Sequence, residues 1–176
     1  TNHSICVIEK GSEVGAHILS GNVFEPTALN ELIPDWKDKE APLDTPVNKD
    51  IVKYLVNENI SIPVPLPGFF MPNFNNHGNY IMSLANFCRW LAKEAESLGV
   101  EIFAGFTASE IIIENDELKG IVTGEMGVSK DGEKKPSYQP SMELRAKYTV
   151  LSEGCRGHLG KQIIKKFNLD QGKDCL

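Results

Sequence analysis

A mixed α/β fold is predicted for the 176-residue chain by three local patterns. Ile5 to Ile8, with Cys6 among them, form a short apolar run that ends at Glu9, the pattern of a buried parallel strand. Leu84, Phe87, Cys88, Leu91, Ala95 and Leu98 recur at helical spacing, and Gly99 and Val100 to Phe103 follow as one αβ unit. Ser109 to Glu114 and Leu118 to Glu125 flank Asn115-Asp116 as a β-hairpin.

The remaining elements follow in order. Residues 4–9 read as a buried strand, and Gly11, Gly15 and Gly21 punctuate the loop behind it. Pro26, the periodic Leu29, Leu32 and Ile33, and Pro34 as a stop predict a helix of about two turns. Residues 35–46 are polar, carry Pro42 and Pro46, and read as a surface loop. Asn48 is placed to cap a short apolar helix over Lys49 to Val56. Residues 60–74 hold four prolines, which forbid a helix or a central strand, beside Phe69, Phe70 and Met71. That tract is either a connector packed on a core or an apolar lip at a cleft or membrane surface. Asn75 to Tyr80 is a turn cluster, and Ser83 caps the long helix that Gly99 ends. Residues 130–140 form a polar excursion, Met142 to Ala146 and Tyr148 to Leu151 read as strand, and Ser152 to Gly157 as a turn. Leu159, Ile163, Ile164 and Phe167 give a last helix, with Lys161, Lys165 and Lys166 on its solvated face.

Composition narrows the classes. Hydrophobic content of 41% and charged content of 24% suit a globular protein. The net charge of −6 argues against a nucleic-acid footprint. No apolar run is long enough to span a bilayer. The chain opens on Thr1 without a charged-then-apolar leader, so targeting information is expected elsewhere. Cys6, Cys88, Cys155 and Cys175 are far apart, without Cys-x-x-Cys, and read as buried thiols in a reducing compartment.

A carboxylate at the end of a buried strand, such as Glu9, can receive both hydroxyls of one ribose, and the glycines behind it let backbone pass close to a flat or phosphorylated ligand. A glycine-rich phosphate turn belongs roughly twenty residues ahead of such an acid. Only eight residues precede Glu9, so an internal piece of a larger nucleotide-binding enzyme is expected. His17 is the one histidine in the loop, and it reads as packed or solvent-facing rather than as a general base. His3, His77 and His158 lack metal-ligand spacing. The Glu153-Gly154 pair breaks a strand and leads into a helix whose N-terminal end can face a phosphate or a hydroxyl, or is a plain turn. No nucleophile elbow or phosphate loop occurs.

Taken together, the chain resembles the family of electron transfer flavoprotein–ubiquinone oxidoreductases. The residues that carry the resemblance are Val7 to Lys10, Gly15-Ala16-His17-Ile18-Leu19-Ser20-Gly21, Pro34 to Lys37 with Ala41 to Leu43, Asn76 to Tyr80, Leu98 to Glu101, and Glu153 to Leu159. The match runs from about residue 4 to about residue 170. The resemblance implies a partial Rossmann-like FAD domain at residues 1–25 and 84–176, with a hairpin insertion at about 109–126. It implies a helical, proline-rich excursion at 26–83 that covers the flavin and faces quinone or membrane. By that resemblance FAD is held at Glu9, Lys10, Gly15, Ala16, His17, Leu19, Ser20 and Gly21, with Thr107 and Ala108 at the adenine edge and Glu153 and Gly154 beside the cofactor.

The family takes electrons from electron transfer flavoprotein and passes them to ubiquinone at the matrix face of the mitochondrial inner membrane, as a peripheral protein that also carries an iron–sulfur cluster. The phosphate turn and the cysteine ligands of that cluster lie outside this chain, so the fragment alone is expected to bind FAD poorly and to be inactive. Ile51, Val52, Tyr54 and Leu55 are placed on the membrane or quinone side, or on a helix buried on two sides. No catalytic acid or base and no metal ligand is named, because the flavin carries the redox chemistry. Two other readings compete: a geranylgeranyl-reductase-type FAD enzyme acting on isoprenoid chains, and a non-catalytic module docking a partner through Pro63 to Pro72.

Overall fold

The computed structural model describes residues 4–64 and 75–172. It is mixed α/β, with several small sheets, and separates into two compact units, Thr1–Glu13 with Val100–Leu176 and Val14–Gly99. The long helix falls with residues 14–83 here, whereas the sequence groups it with the first and last segments.

In the first unit, strand β1 (Ile5–Glu9) lies parallel to β7 (Val100–Ala104), in register from Ile5–Val100 to Glu9–Ala104. The pairing runs past the strand ends, with Phe106 N–H donating to Glu9 O at 3.0 Å and Gly105 N–H to Gly11 O at 2.7 Å. The expected burial of β1 is not found: Ile5 and Val7 are 53% and 44% exposed. A parallel strand is buried by layers on both faces of its sheet, and among the described residues this sheet has two strands only.

Strands β8 (Ala108–Glu114), β9 (Glu117–Thr123) and β12 (Glu143–Arg145) form an antiparallel sheet in the order β12-β9-β8. Asn115 and Asp116, both at positive φ, make the primed two-residue turn that matches strand twist. The 130–140 excursion is not irregular throughout. Its residues Lys134–Gln139 form β11 against β10 (Met126–Val128). Its residues are almost all exposed, so no period-two pattern marks it. Tyr148 to Leu151 is not a strand. Among the described residues no sheet takes it as a neighbour and the buried Thr149 hydroxyl has no hydrogen-bond partner, while Tyr148 and Val150 are 90% and 86% exposed. Helix α3 (His158–Phe167) is anchored by Leu159, 1% exposed, and touches β8 where Gln162 Nε2 donates to Ser109 O at 3.4 Å.

In the second unit, β2 (Asn22–Phe24) and β3 (Thr45–Pro46) flank β6 (Tyr80–Met82) in an antiparallel sheet. Helix α1 (Thr27–Leu32) starts after Pro26 as expected. Helix α2 (Leu84–Ser97) is capped by Ser83 Oγ, which accepts from Asn86 N–H, and Gly99 takes φ +89 behind it. The core is Leu29, Trp36, Ala41, Leu43, Met82 and Phe87. Residues 35–46 are therefore not a surface loop. Prolines and charges keep that backbone irregular, but Trp36, Ala41 and Leu43 turn inward. Trp36 can be buried because its Nε1–H donates to Asn30 Oδ1 at 2.7 Å.

The Lys49 to Val56 helix is absent. Lys53–Leu55 is strand β4, paired antiparallel with β5 (Ser61–Pro63). The apolar residues at 51, 52 and 54–56 suit a helix face and a strand equally, and pairing with residues 60–64 decides for the strand. Most of the proline tract, residues 65–72, lies outside the described residues. The cysteines are not buried: Cys6 and Cys155 are exposed and Cys88 is half-buried, and Cys175 lies outside the described residues.

Candidate functional site

The residues expected at a nucleotide site divide between the two units, and each group is built by local chemistry. In the first unit, β1 delivers Glu9 to the end of a parallel pair, half-buried, with Lys10 exposed beside it. The chain then turns so tightly that Gly11 N–H donates to Glu9 Oε1 at 2.5 Å. The turn fixes the carboxylate at the strand's carboxyl end, the edge where open α/β sheets bind their ligands. Thr107 and Ala108 follow β7 and enter β8. Thr107 O accepts from Gly124 N–H at 2.7 Å, which holds this crossing in place.

Glu153 caps helix α3. Gly157, the N-cap residue of α3, has no side chain to satisfy the first amides. Glu153 supplies the acceptor instead: Oε1 takes Leu159 N–H at 3.2 Å and Oε2 takes Gly160 N–H at 2.8 Å. The carboxylate thus occupies the anion position that a phosphate would take at this helix end. Gly157 must be glycine for the same reason, since a Cβ there would lie 2.7 Å from Glu153 Cβ and Oε2. Gly154 takes φ +71 to turn the chain. Around this cap Leu151, Cys155, Lys161 and Ile164 line a cleft of about 110 Å³.

Desolvation raises the Glu153 carboxyl, but the amides of Gly160, Leu159 and His158 outweigh it and hold the group below the usual glutamate range. A depressed folded-state pKa gives stability that is complete above the unfolded value and lost as the pH falls through the folded one. The α3 N-terminus is therefore expected to loosen below about pH 4, from an unfolded glutamate near 4.3. In Glu153→Gln, exchange of the Leu159 and Gly160 amides should rise severalfold at neutral pH and become independent of acidification, as expected for loss of about 1 kcal/mol of capping. Unchanged protection in the variant would refute the cap.

In the second unit the loop from Gly15 to Gly21 starts buried and ends in solvent. Gly15 is buried at φ +83, and a Cβ there would lie 2.8 Å from Ala85 O of α2. Arg89 Nη1 reaches Val14 O at 3.5 Å, so the same helix holds the loop's first residues. Ala16, His17, Leu19, Ser20 and Gly21 are exposed, Leu19 to 85%. Leu19 is thus an apolar side chain held in solvent on a loop whose first residues are pinned by α2. Of the two readings of His17, packed or solvent-facing, its exposure fits the second.

The expected membrane or quinone residues change neighbours. On a hairpin, residues alternate between faces. Tyr54 stands opposite Ile62, and the ladder continues through Val56 N–H to Ile60 O at 3.0 Å and Val64 N–H to Val52 O at 3.0 Å. One face thus carries Val52, Tyr54, Val56, Ile60, Ile62 and Val64, all apolar. Tyr54 is 66% exposed, and Ile60 and Ile62 about half. Leu55 belongs to the other face with Lys53 and Ser61. The three-residue tip is braced by Asn57 Oδ1, which accepts from Asn59 and Ile60 N–H, both at 2.9 Å.

Sequence reasoning missed Asp50, read there as part of a helix, and its partner Asn76. A second cavity of about 580 Å³ is lined by Trp36, Lys37, Leu43, Asp44 and Tyr80, open and mixed in polarity. Among the described residues no three His, Cys, Asp or Glu side chains converge as a metal site needs, and no helix is long and apolar enough to cross a membrane.

Comparison with known proteins returns the resemblance read from the motifs. The chain is 60% identical over 174 residues to the electron transfer flavoprotein-ubiquinone oxidoreductase of Pseudomonas aeruginosa, covering 97% of this chain and 31% of that protein. It is 49% identical to the mitochondrial protein of that name in Oryza sativa, over 96% of this chain and 28% of the relative. The Bos taurus mitochondrial protein is 48% identical, over 94% and 26%. The chain therefore spans about a third of the length of the curated relatives it matches. No family profile matches it. A solved structure, FqzB, superposes with a TM-score of 0.46 at 16% identity, over 80% of this chain and 28% of that one.

Proposed function

We propose, from this homology as premise, that the chain is a segment of an electron transfer flavoprotein–ubiquinone oxidoreductase, a flavoprotein that passes electrons from reduced electron transfer flavoprotein to ubiquinone. The observation that carries the reading is the 60% identity over 97% of the chain, which includes the glycine loop and the acid–glycine turn. The chain's own geometry suits FAD as the cofactor. Glu9 at the end of a parallel strand has acceptor capacity for ribose hydroxyls beyond the bond from Gly11. The loop over Gly15, Ala16, His17, Leu19, Ser20 and Gly21 presents backbone and small side chains to a flat ring system. Lys10 stands beside Glu9, within reach of an anionic group.

Thr107 and Ala108 would meet the adenine edge through backbone atoms. Glu153 and Gly154 would lie beside the ribityl chain, with the Glu153 carboxylate shared between α3 and a hydroxyl. Such a carboxylate accepts a hydroxyl and repels a phosphate, so this helix end orients the sugar-alcohol part of the cofactor. The strands would then complete a Rossmann-like FAD domain. When bound, the flavin supplies the electron acceptance; these residues hold and orient it. The iron–sulfur cluster and its ligands belong to the rest of the parent protein.

The apolar hairpin face would seat the protein peripherally on a ubiquinone-bearing membrane. Rice and bovine relatives are named mitochondrial, and the matrix face of the inner mitochondrial membrane is the location inferred. The test uses the full-length parent protein loaded with FAD. Reduced electron transfer flavoprotein should drive stoichiometric reduction of a soluble ubiquinone. Reduction of isoprenoid double bonds without quinone turnover would overturn the proposal.

A further inference from the structure

We propose that Asp50 is a positioning residue, clamping the neck of the apolar hairpin so that its membrane-facing surface is held in one orientation. The proposal rests on the membrane reading above. The hairpin of β4 and β5 pairs with no other sheet among the described residues. A lone two-stranded hairpin is marginal in water, so its direction must be set where it joins the rest of its unit.

Asp50 sits immediately before the hairpin. Its Oδ1 accepts from Asn76 Nδ2 at 2.7 Å and its Oδ2 accepts from Asn76 N–H at 3.0 Å. Both oxygens thus hold one residue in a forked, charge-assisted contact. Asn76 is itself fixed. Asn79 N–H donates to Asn76 O at 3.0 Å, and Asn79 O accepts from Val47 N–H at 2.8 Å. Tyr80, the next residue, enters β6 and packs edge-on against the buried Trp36 at 5.7 Å. The contacts run unbroken from hairpin neck to core: Asp50, Asn76, Asn79, Tyr80, Trp36. Asp50 lies outside the hairpin ladder and is not among the residues expected to bind cofactor.

The side-chain and backbone bonds from Asn76 draw the Asp50 carboxyl below its ordinary range, consistent with a carboxylate that is used as an anion. Clamping matters because a membrane face works only if its residues meet the bilayer together. A hairpin free to swing loses that advantage to conformational entropy.

The experiment measures partition of the full-length, FAD-loaded parent protein onto vesicles of phosphatidylcholine and cardiolipin. Asp50→Ala should weaken partition about five- to tenfold, the scale of losing charge-assisted hydrogen bonds. Flavin absorbance and turnover with soluble quinone should not change. The reciprocal double variant, Asp50→Asn with Asn76→Asp, can rebuild both bonds. The amide oxygen introduced at position 50 accepts the backbone N–H of position 76, and the amide nitrogen donates to the carboxylate introduced there. This variant should restore partition. Native partition in Asp50→Ala, while Tyr54→Asp with Ile62→Asp detaches the protein, would overturn the clamp and leave the membrane reading standing. Loss of partition that the reciprocal variant fails to restore would also overturn it. Native partition in Tyr54→Asp with Ile62→Asp would overturn the membrane reading and the clamp with it.

Discussion

Gly15→Ala is expected to abolish flavin retention in the full-length parent protein. Gly15 holds φ +83, where an alanine costs about 1–2 kcal/mol from Cβ crowding alone. The added Cβ would also meet Ala85 O at 2.8 Å and Ala85 Cα at 3.1 Å. Those atoms are backbone in the first turn of α2, and α2 is tied to the core by Phe87, so neither partner can yield cheaply. A further ~1–3 kcal/mol of overpacking follows unless the loop moves away. Loop displacement is the softer route, because residues 16–21 are exposed, and it would carry Ala16 to Gly21 away from the flavin position proposed above. Gly21 is the internal control. It has the same φ of +83 but open space where a Cβ would go, so Gly21→Ala should cost about 1 kcal/mol and keep most of the flavin. Flavin-to-protein absorbance ratios of the two purified variants decide the matter. Native flavin content in Gly15→Ala would show that the loop does not meet the cofactor.

Tyr54→Asp with Ile62→Asp should release the protein from membranes while leaving soluble-quinone turnover intact. The two residues are direct cross-strand partners on the apolar face. Two carboxylates there oppose each other across the ladder, which costs up to about 1 kcal/mol, and each must be carried toward the bilayer. Charge at the centre of a membrane costs about 2.5–3.5 kcal/mol per residue, and less at the interface. Together a loss of roughly 100-fold in vesicle partition is expected, about 2.7 kcal/mol. Leu55→Asp is the discriminating control. Leu55 is 71% exposed, more than Tyr54, yet it lies on the face with Lys53 and Ser61. Its substitution should change partition by less than about threefold, within the range of an exposed polar change. Equal loss in Leu55→Asp would mean that exposure, rather than the face, governs the contact.

These predictions draw unequally on the sequence. Helix α2 is legible there because its signals are local: Ser83, a periodic apolar stripe and Gly99 each act within one turn of the backbone. The β8–β9 hairpin is legible through Asn115-Asp116, whose tolerance of positive φ selects the turn. Glu9 and the glycine loop are legible as a pattern, and the loop's glycines gain their geometric reason in Gly15 against Ala85. Residues 49–56 mislead because five apolar positions among eight satisfy either periodicity. The opposite strand, residues 60–64, supplies the deciding hydrogen bonds. Glu153 stands out in the sequence through its acid–glycine pair, but its capping of α3 depends on a six- to seven-residue reach that no capping motif encodes. Asp50 and Asn76 do not pair on sequence grounds, since 26 residues separate them.

The sequence by itself determined the local elements with strong start and stop signals and the family resemblance. It could do so because those features depend on torsions and hydrogen bonds within a few residues. Only the tertiary structure decided which side chains are buried. Trp36 and Leu43 sit in a core although their segment is polar, and Ile5 and Val7 are exposed although theirs is apolar. Burial belongs to the surfaces a segment meets, and those come from distant parts of the chain. For the same reason only pairing in space turned Val52, Tyr54, Val56, Ile60, Ile62 and Val64 into one apolar face, and gave Asp50 a partner at its neck.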